Sequence, residues 1–169
     1  MIFATVGTQL PFDRLTSALD EWARTHAEKD VFAQIGATGF IPQSMRWSPS
    51  LTPEQFQRQL SSASLVISHA GIGSIISALE LGKPLIVMPR QARYGEHRND
   101  HQVATAKRFQ AMRSIRVVQD EHELVRCLST ICSEHTKAAE VGPPAPKLLS
   151  RIRDFISAND ATRSAANAK

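Results

Sequence analysis

The stretch from Leu65 to Arg90 constrains the fold more than any other part of the chain. It contains an apolar strand, a turn of small residues, a helix that ends at Gly82 and Pro84, and a second apolar strand. The predicted bounds are 65–67 for the first strand, 68–74 for the turn, 75–81 for the helix and 85–88 for the second strand. Together these elements predict a βαβ unit with parallel strands.

The small-residue turn of this unit predicts an anion-binding site. Gly71 and Gly73 let the backbone approach a ligand closely, and Ser74 offers a hydroxyl group. The helix that follows has unpaired N–H groups and a partial positive charge at its N-terminus. A diphosphate is the anion that such turns commonly hold in βαβ proteins.

The same residues carry a resemblance to a known family. The pattern His69-Ala-Gly71-x-Gly73-Ser74, followed by Gly82-x-Pro84 and Pro89, is similar to the donor-nucleotide signature of the glycosyltransferase family 28 C-terminal domain. Within that family the chain resembles the small catalytic subunits of split UDP-sugar transferases, which act on dolichol-linked sugar or in bacterial exopolysaccharide synthesis. The resemblance covers roughly the first three quarters of the chain and rests on several spaced motifs.

Strands and helices also alternate outside this central unit. Further strands are predicted at 2–6, 31–35, 45–47 and 115–118, and further helices from Pro11 or Asp13 onward, at 53–60, from 100 or 101 to 112, and at 121–133. This alternation predicts an α/β fold with a Rossmann-like, mainly parallel sheet and helices on both faces. The resemblance implies that this sheet is equivalent to the C-terminal, donor-binding half of a GT-B glycosyltransferase.

The chain of 169 residues is long enough for one α/β domain, which we expect at 1–140. A proline-containing break opens a segment at 141–157, where a linker precedes a C-terminal amphipathic helix, and 158–169 is expected to be a disordered tail. No apolar run approaches the ~20 residues of a membrane span, and the N-terminus does not resemble a signal peptide. We therefore expect a cytoplasmic protein.

Composition excludes several classes of partner and site. The formal charge of +4 is compatible with an anionic ligand, but zinc-finger spacing is missing and aromatic residues make up only 6% of the chain, so no nucleic-acid partner is expected. Cys127 and Cys132 are five apart in a helical pattern and are not expected to form a disulfide or a metal pair.

The resemblance implies a set of donor-binding residues. UDP-sugar is the expected donor substrate, and no separate cofactor or metal is expected. The residues expected to bind the nucleotide and diphosphate are Gly7, Thr8, Gln9, His69, Gly71, Gly73, Ser74, Ser77 and Arg90. Ser77 departs from the pattern of the related peptidoglycan enzyme, which has an acidic ribose ligand there, and Glu80 follows only one helical turn later.

The polar segment from Tyr94 to Gln102 follows a buried strand and offers every type of hydrogen-bonding side chain. The resemblance implies that it binds the donor sugar. The residues assigned to that role are Glu96, His97, Asn99, Asp100, His101 and Gln102. The simpler interpretation is that Asn99 or Asp100 caps the helix and that its neighbours are solvated.

Two other functions remain open at this point. His97 and His101 are four apart, a spacing that suits a metal on a helix, so a metal-dependent hydrolase is one alternative. A regulatory module that binds a nucleotide without turnover is the other. His69 is a possible catalytic residue, or it packs over the turn and orders it.

The resemblance implies an inverting transferase that moves a sugar from UDP-sugar to a lipid-diphosphate-linked saccharide. Because one α/β domain supplies only half of a GT-B crevice, we expect a membrane-anchored partner subunit that binds the acceptor. The general base is then expected on that partner, with the chain held at the inner face of the membrane.

Overall fold

The computed structural model describes residues 1–37, 39–112 and 114–134. Within these ranges, six parallel strands form one sheet in the order β3-β2-β1-β4-β5-β6. The strands are β1 (Ile2–Thr5), β2 (Val31–Gln34), β3 (Arg46–Ser48), β4 (Leu65–His69), β5 (Leu85–Met88) and β6 (Ile115–Val117). The helices are α1 (Asp13–Thr25), α2 (Pro53–Ser62), α3 (Ile72–Glu80), α4 (His101–Phe109) and α5 (Glu121–Glu134). The segments predicted at 141–157 and 158–169 lie outside the described residues.

Helices cover both faces of this sheet. Side chains alternate along each strand, so Ala4 and Ile67 pack with α1 and α5, whereas Phe3 and Val66 pack with α2, α3 and α4. The apolar stripe of α1, which includes Leu15, Leu19 and Trp22, is buried in the first of these layers. The three-layer, parallel α/β arrangement confirms the predicted fold class.

The strand order reverses between β1 and β4. From β1 the chain moves outward to β2 and β3, and α2 then returns it to β4 on the other side of β1. The loops that follow β1 and β4 therefore diverge to opposite faces and leave a crevice at the carboxyl edge of the sheet. Ligands of open α/β sheets bind in such a crevice.

The helix of the central βαβ unit begins three residues earlier than the sequence predicts. β4 continues to His69, and α3 starts at Ile72 with Gly71 as its N-cap. Gly73 and Ser74, which the sequence pattern placed in the turn, therefore belong to the first helical turn. Small residues with poor helix propensity are tolerated there because tertiary packing outweighs propensity.

The segment between β5 and α4 contains one turn of local structure. It contains a 3₁₀ turn at Ala92–Tyr94 that ends at Gly95, whose φ of 70° lies in the left-handed region.

α2 begins as predicted at Pro53, after Thr52, which forms a reciprocal capping box with Gln55. Among the described residues, no helix is long and apolar enough to cross a membrane.

Candidate functional site

A cavity of about 750 Å³ lies at the carboxyl edge of the sheet, where the strand order reverses between β1 and β4. Its walls come from the turns after β1 and β4, the end of β5, and the first turns of α2, α3 and α4. The expected nucleotide-binding residues that line it are Gly7, Thr8, Gln9, His69, Gly71, Gly73, Ser74 and Arg90. The fold thus brings together residues that are far apart in sequence.

The turn after β1 is braced by buried polar side chains. Gly7 has a φ of 78°, a conformation that favours glycine, and its N–H donates to Oγ1 of Thr5. Gln34 accepts from the Thr5 hydroxyl at 2.6 Å, and its Nε2 donates to the carbonyls of Gly7 and Pro49. These bonds fix the turn against β2. Sequence reasoning missed both Thr5 and Gln34, since a polar residue inside a strand carries no motif.

Arg90 completes this brace from the other side. Its guanidinium donates to the carbonyls of Val6, Leu10 and Pro11 and lies over the ring of Phe12, 4.7 Å from the centroid. Arg90 is only 2% exposed, and burial lowers its pKa to about 10. The bonds to three carbonyls show that Arg90 orders the first turn, and its assignment to the diphosphate stays a prediction.

The ring of His69 lies between the two glycine turns. A Cβ on Gly7 would come within 2.7 Å of His69 Cε1, and a Cβ on Gly71 within 2.2 Å of His69 Nε2. Both positions therefore require glycine while the imidazole stays in place. Burial, together with the nearby charge of Arg90, lowers the pKa of His69 from 6.5 to about 4. His69 is neutral at physiological pH.

The start of α3 faces the cavity. Gly71, the N-cap, has extended backbone angles and makes no side-chain capping bond. Gly73 would have nothing within 4 Å of an added Cβ, so the space beside it is open. The first amides of a helix have no intrahelical partner, and here a cavity lies in front of them. This arrangement suits an anion.

The segment before and within α4 sends only some of its polar side chains to the cavity. His97, His101 and Gln102 line it, as does Thr105 one turn further along the helix. Nδ1 of His97 is buried and has no hydrogen-bond partner among the described residues. Oε1 of Gln102 accepts a hydrogen bond from the backbone N–H of Arg90, which ties α4 to the end of β5.

The other predicted donor ligands lie outside the lining that the described residues form. Glu96 accepts hydrogen bonds from Arg14 and from the N–H of Gln91, and Asp100 accepts from the N–H of Ala92. Asn99 accepts from the N–H of His101. Ser77 lies further along α3 and is likewise not among the lining residues. Three of these side chains therefore order the loop, in partial agreement with the simpler interpretation of this segment.

The first part of α2 forms a wall of the cavity to which the sequence assigned no chemistry. Leu51, Pro53, Phe56 and Gln57 line it. They reach the cavity because α2 returns the chain from β3 to β4 and passes beside the carboxyl edge of β1. Only knowledge of the strand order could have identified these four residues as part of the cavity wall.

The metal alternative gains no further ligand from the structure. The His97 and His101 rings are 4.3 Å apart and meet edge to face. Among the described residues, no group of three or more His, Cys, Asp or Glu side chains is placed to hold a metal ion.

Comparison with known proteins identifies the family of the chain. The family model of the glycosyltransferase family 28 C-terminal domain matches residues 1–156. The chain belongs to this family. A human protein described as UDP-N-acetylglucosamine transferase subunit ALG13 is 33% identical over 119 residues, which cover 64% of this chain and 10% of that protein. The protein with the same description from Eremothecium gossypii is 41% identical over 70 residues, which cover 41% of this chain and 32% of that protein.

Solved structures of other proteins share this fold. The NMR structure of ALG13 has a TM-score of 0.57 at 21% identity and covers 86% of this chain and 88% of that one. Os79 from O. sativa in complex with UDP has a TM-score of 0.58 at 15% identity, over 80% of this chain and 32% of that one. The recognition of the family from its motifs, and the expected equivalence to half of a GT-B enzyme, are confirmed.

Proposed function

We propose that this family 28 domain binds UDP-sugar and serves as the donor-binding, catalytic subunit of an inverting glycosyltransferase. The observation that carries the proposal is the start of α3, which opens into the cavity without a side-chain cap. A nucleoside diphosphate placed there would receive the N–H groups of the helix and its partial positive charge. The imidazoles of His97 and His101 and the amide of Gln102 would face the sugar.

The proposed acceptor is a lipid-diphosphate-linked saccharide, in exopolysaccharide or glycolipid synthesis, and the proposed partner is a membrane-anchored subunit that binds it. One observation supports a partner: the relatives described as ALG13 are subunits by their description. The chain would then work at the inner face of the membrane, and the general base would come from the partner.

Calorimetry with UDP tests the donor site. In Gly73→Val the branched side chain enters the open space beside the helix start, so we expect UDP affinity to fall at least about tenfold, or about 1.4 kcal/mol. Glu80→Val is the matched control, since it places the same side chain at the exposed far end of α3, and it should bind UDP as the wild type does. A folded Gly73→Val variant with unchanged UDP affinity would place the nucleotide elsewhere.

A reconstitution assay tests the partner. The purified chain is incubated with a UDP-sugar and a lipid-linked acceptor, with and without a candidate membrane subunit. We expect transfer only when both are present, because a GT-B site lies between two domains. Full turnover by the chain alone would contradict the split-enzyme proposal.

A further inference from the structure

Arg14 on α1 and Glu96 in the loop before α4 form a two-pronged ion pair across 82 residues of sequence. Nε of Arg14 lies 2.7 Å from Oε1 of Glu96, and one terminal nitrogen of the guanidinium lies 2.9 Å from Oε2. Both side chains are 9% exposed. A paired fork of this kind fixes both distance and orientation, which a single contact does not.

The pair also holds neighbouring loops. Oε2 of Glu96 accepts from the N–H of Gln91, and Arg14 donates to the carbonyls of Pro89 and Gln119. The end of β5, the loop before α4 and the loop after β6 are thereby tied to α1. All of these contacts lie at the carboxyl edge of the sheet, beside the cavity.

The residue after Glu96 lines the cavity. Gly95, with a φ of 70°, turns the chain immediately before Glu96, and His97 follows with its ring 4.3 Å from that of His101. Because Glu96 and His97 are adjacent in the chain, a loop that is held at Glu96 also limits where the His97 ring can lie. His97 Nδ1 is buried without a partner among the described residues, so the ring is held by its surroundings rather than by its own hydrogen bond there.

We propose that Arg14 and Glu96 are a positioning pair that holds the His97–His101 edge of the cavity where the sugar of the donor lies, without touching the donor. The inference rests on the proposed function and deepens it. It replaces the expectation that Glu96 itself binds the sugar. UDP affinity, which depends on the start of α3, is expected to be independent of this pair.

The test uses the full chain with two probes, UDP and UDP-N-acetylglucosamine, in Glu96→Gln and Arg14→Lys. We expect the ratio of the dissociation constant for UDP-N-acetylglucosamine to that for UDP to rise about tenfold in Glu96→Gln, with UDP affinity unchanged. Arg14→Lys keeps the charge but loses the fork, so its ratio should rise less. It also provides a second variant if Glu96→Gln does not fold.

Histidine ring signals in NMR spectra of the ligand-free chain separate positioning from direct contact. If Glu96 positions His97, the ring signals of His97 and His101 shift in Glu96→Gln before any ligand is added. If Glu96 only contacts the sugar, they do not, and the inference is wrong.

Glu21→Gln is the matched control. It removes an Arg–Glu pair from the same helix, with Arg24, but those two side chains are 66% and 61% exposed. Its ratio of the two dissociation constants and its histidine ring signals should equal those of the wild type. An unchanged ratio in both Glu96→Gln and Arg14→Lys, with a wild type that binds both probes, overturns the positioning role. A wild type that binds neither probe overturns the proposed function itself.

Discussion

The two glycine turns that face the cavity from opposite sides are built in different ways. After β1, Gly7 adopts a φ of 78°, and the carbonyls around it accept hydrogen bonds from Gln34 and Arg90. After β4, Gly71 has a φ of −82° and begins a helix with no side-chain cap. Both glycines nevertheless lie against the same imidazole, that of His69.

The difference shows how similar short motifs acquire different tasks. In the first turn, carbonyl oxygens are engaged by side chains from distant strands, so the turn is a fixed wall. In the second turn, helical geometry leaves amide groups without an intrahelical acceptor. This favours the second turn as the diphosphate site of the proposed function.

The largest effect is expected from removing the brace of the first turn. In Arg90→Met the buried carbonyl of Val6 and the part-buried carbonyls of Leu10 and Pro11 lose their donor. At about 1–3 kcal/mol for the buried group and about 0.5–1.5 kcal/mol for each of the other two, we expect a loss of about 2–6 kcal/mol in the free energy of unfolding. Urea denaturation measures this loss. The control is Arg116→Met, an exposed position on β6, where a change below about 0.5 kcal/mol is expected.

Hydrogen exchange in Arg90→Met sharpens the comparison. The amides of the first turn should exchange faster, while those of α3 keep their protection. Equal loosening of both turns would show that they form one unit and would contradict their separate construction.

The next effect concerns His69, which both turns enclose. Its pKa is about 4 in the fold and 6.5 when unperturbed, so between these values the unfolded chain binds more protons than the folded chain. The contribution of His69 to the free energy of unfolding is therefore fully present above about pH 6.5. It is lost as the pH falls toward 4, by up to about 3 kcal/mol.

The variant His69→Gln tests this pH dependence, because glutamine does not titrate. The difference in unfolding free energy between wild type and variant should change with pH from 6.5 to 4 and stay constant above 7. Parallel pH profiles for the two proteins would mean that His69 does not titrate as described.

The smallest effect compares two glycines of the same segment. Gly71→Ala places a Cβ 2.2 Å from His69 Nε2, so the ring must move, and we expect a loss of about 1–3 kcal/mol. Gly73→Ala meets nothing within 4 Å and lies in a helix, where alanine should add up to about 1 kcal/mol of stability. Thermal melting of the pair measures both. Destabilisation of both variants by the same amount would contradict the open space beside Gly73.

Periodicity and composition were sufficient for the elements of the fold. The apolar runs at β1, β4 and β5 and the stripe on α1 predict buried strands and a half-buried helix, which the structure shows. The start of α3 was predicted three residues too late, because small residues resemble a turn when their packing is unknown. The spaced motifs between His69 and Pro89 also sufficed to recognise the family.

Roles within the site followed the motifs less closely. Gly7, His69, Gly71 and Gly73 line the cavity, as their positions at strand ends predict, and so do His97, His101 and Gln102. Glu96 and Asp100 have the chemistry to bind a ligand but bond to the protein outside the cavity lining, and Arg90, which lines the cavity, also bonds to three carbonyls of the first turn. Whether these side chains contact the sugar-donor substrate could not be judged from residue type alone.

The sequence by itself therefore determined the parallel α/β fold and the edge of the sheet at which the site lies, because periodicity and strand-end turns are local properties of a chain. The tertiary structure decided which polar side chains face the cavity. Arg90 donates hydrogen bonds to the carbonyls of Val6, Leu10 and Pro11, and Glu96 accepts from Arg14. All of these partners lie about 75 or more positions away in the chain. Hydrogen-bond partners so distant exist only once the sheet has assembled, and a buried charge adopts whichever arrangement satisfies it most fully.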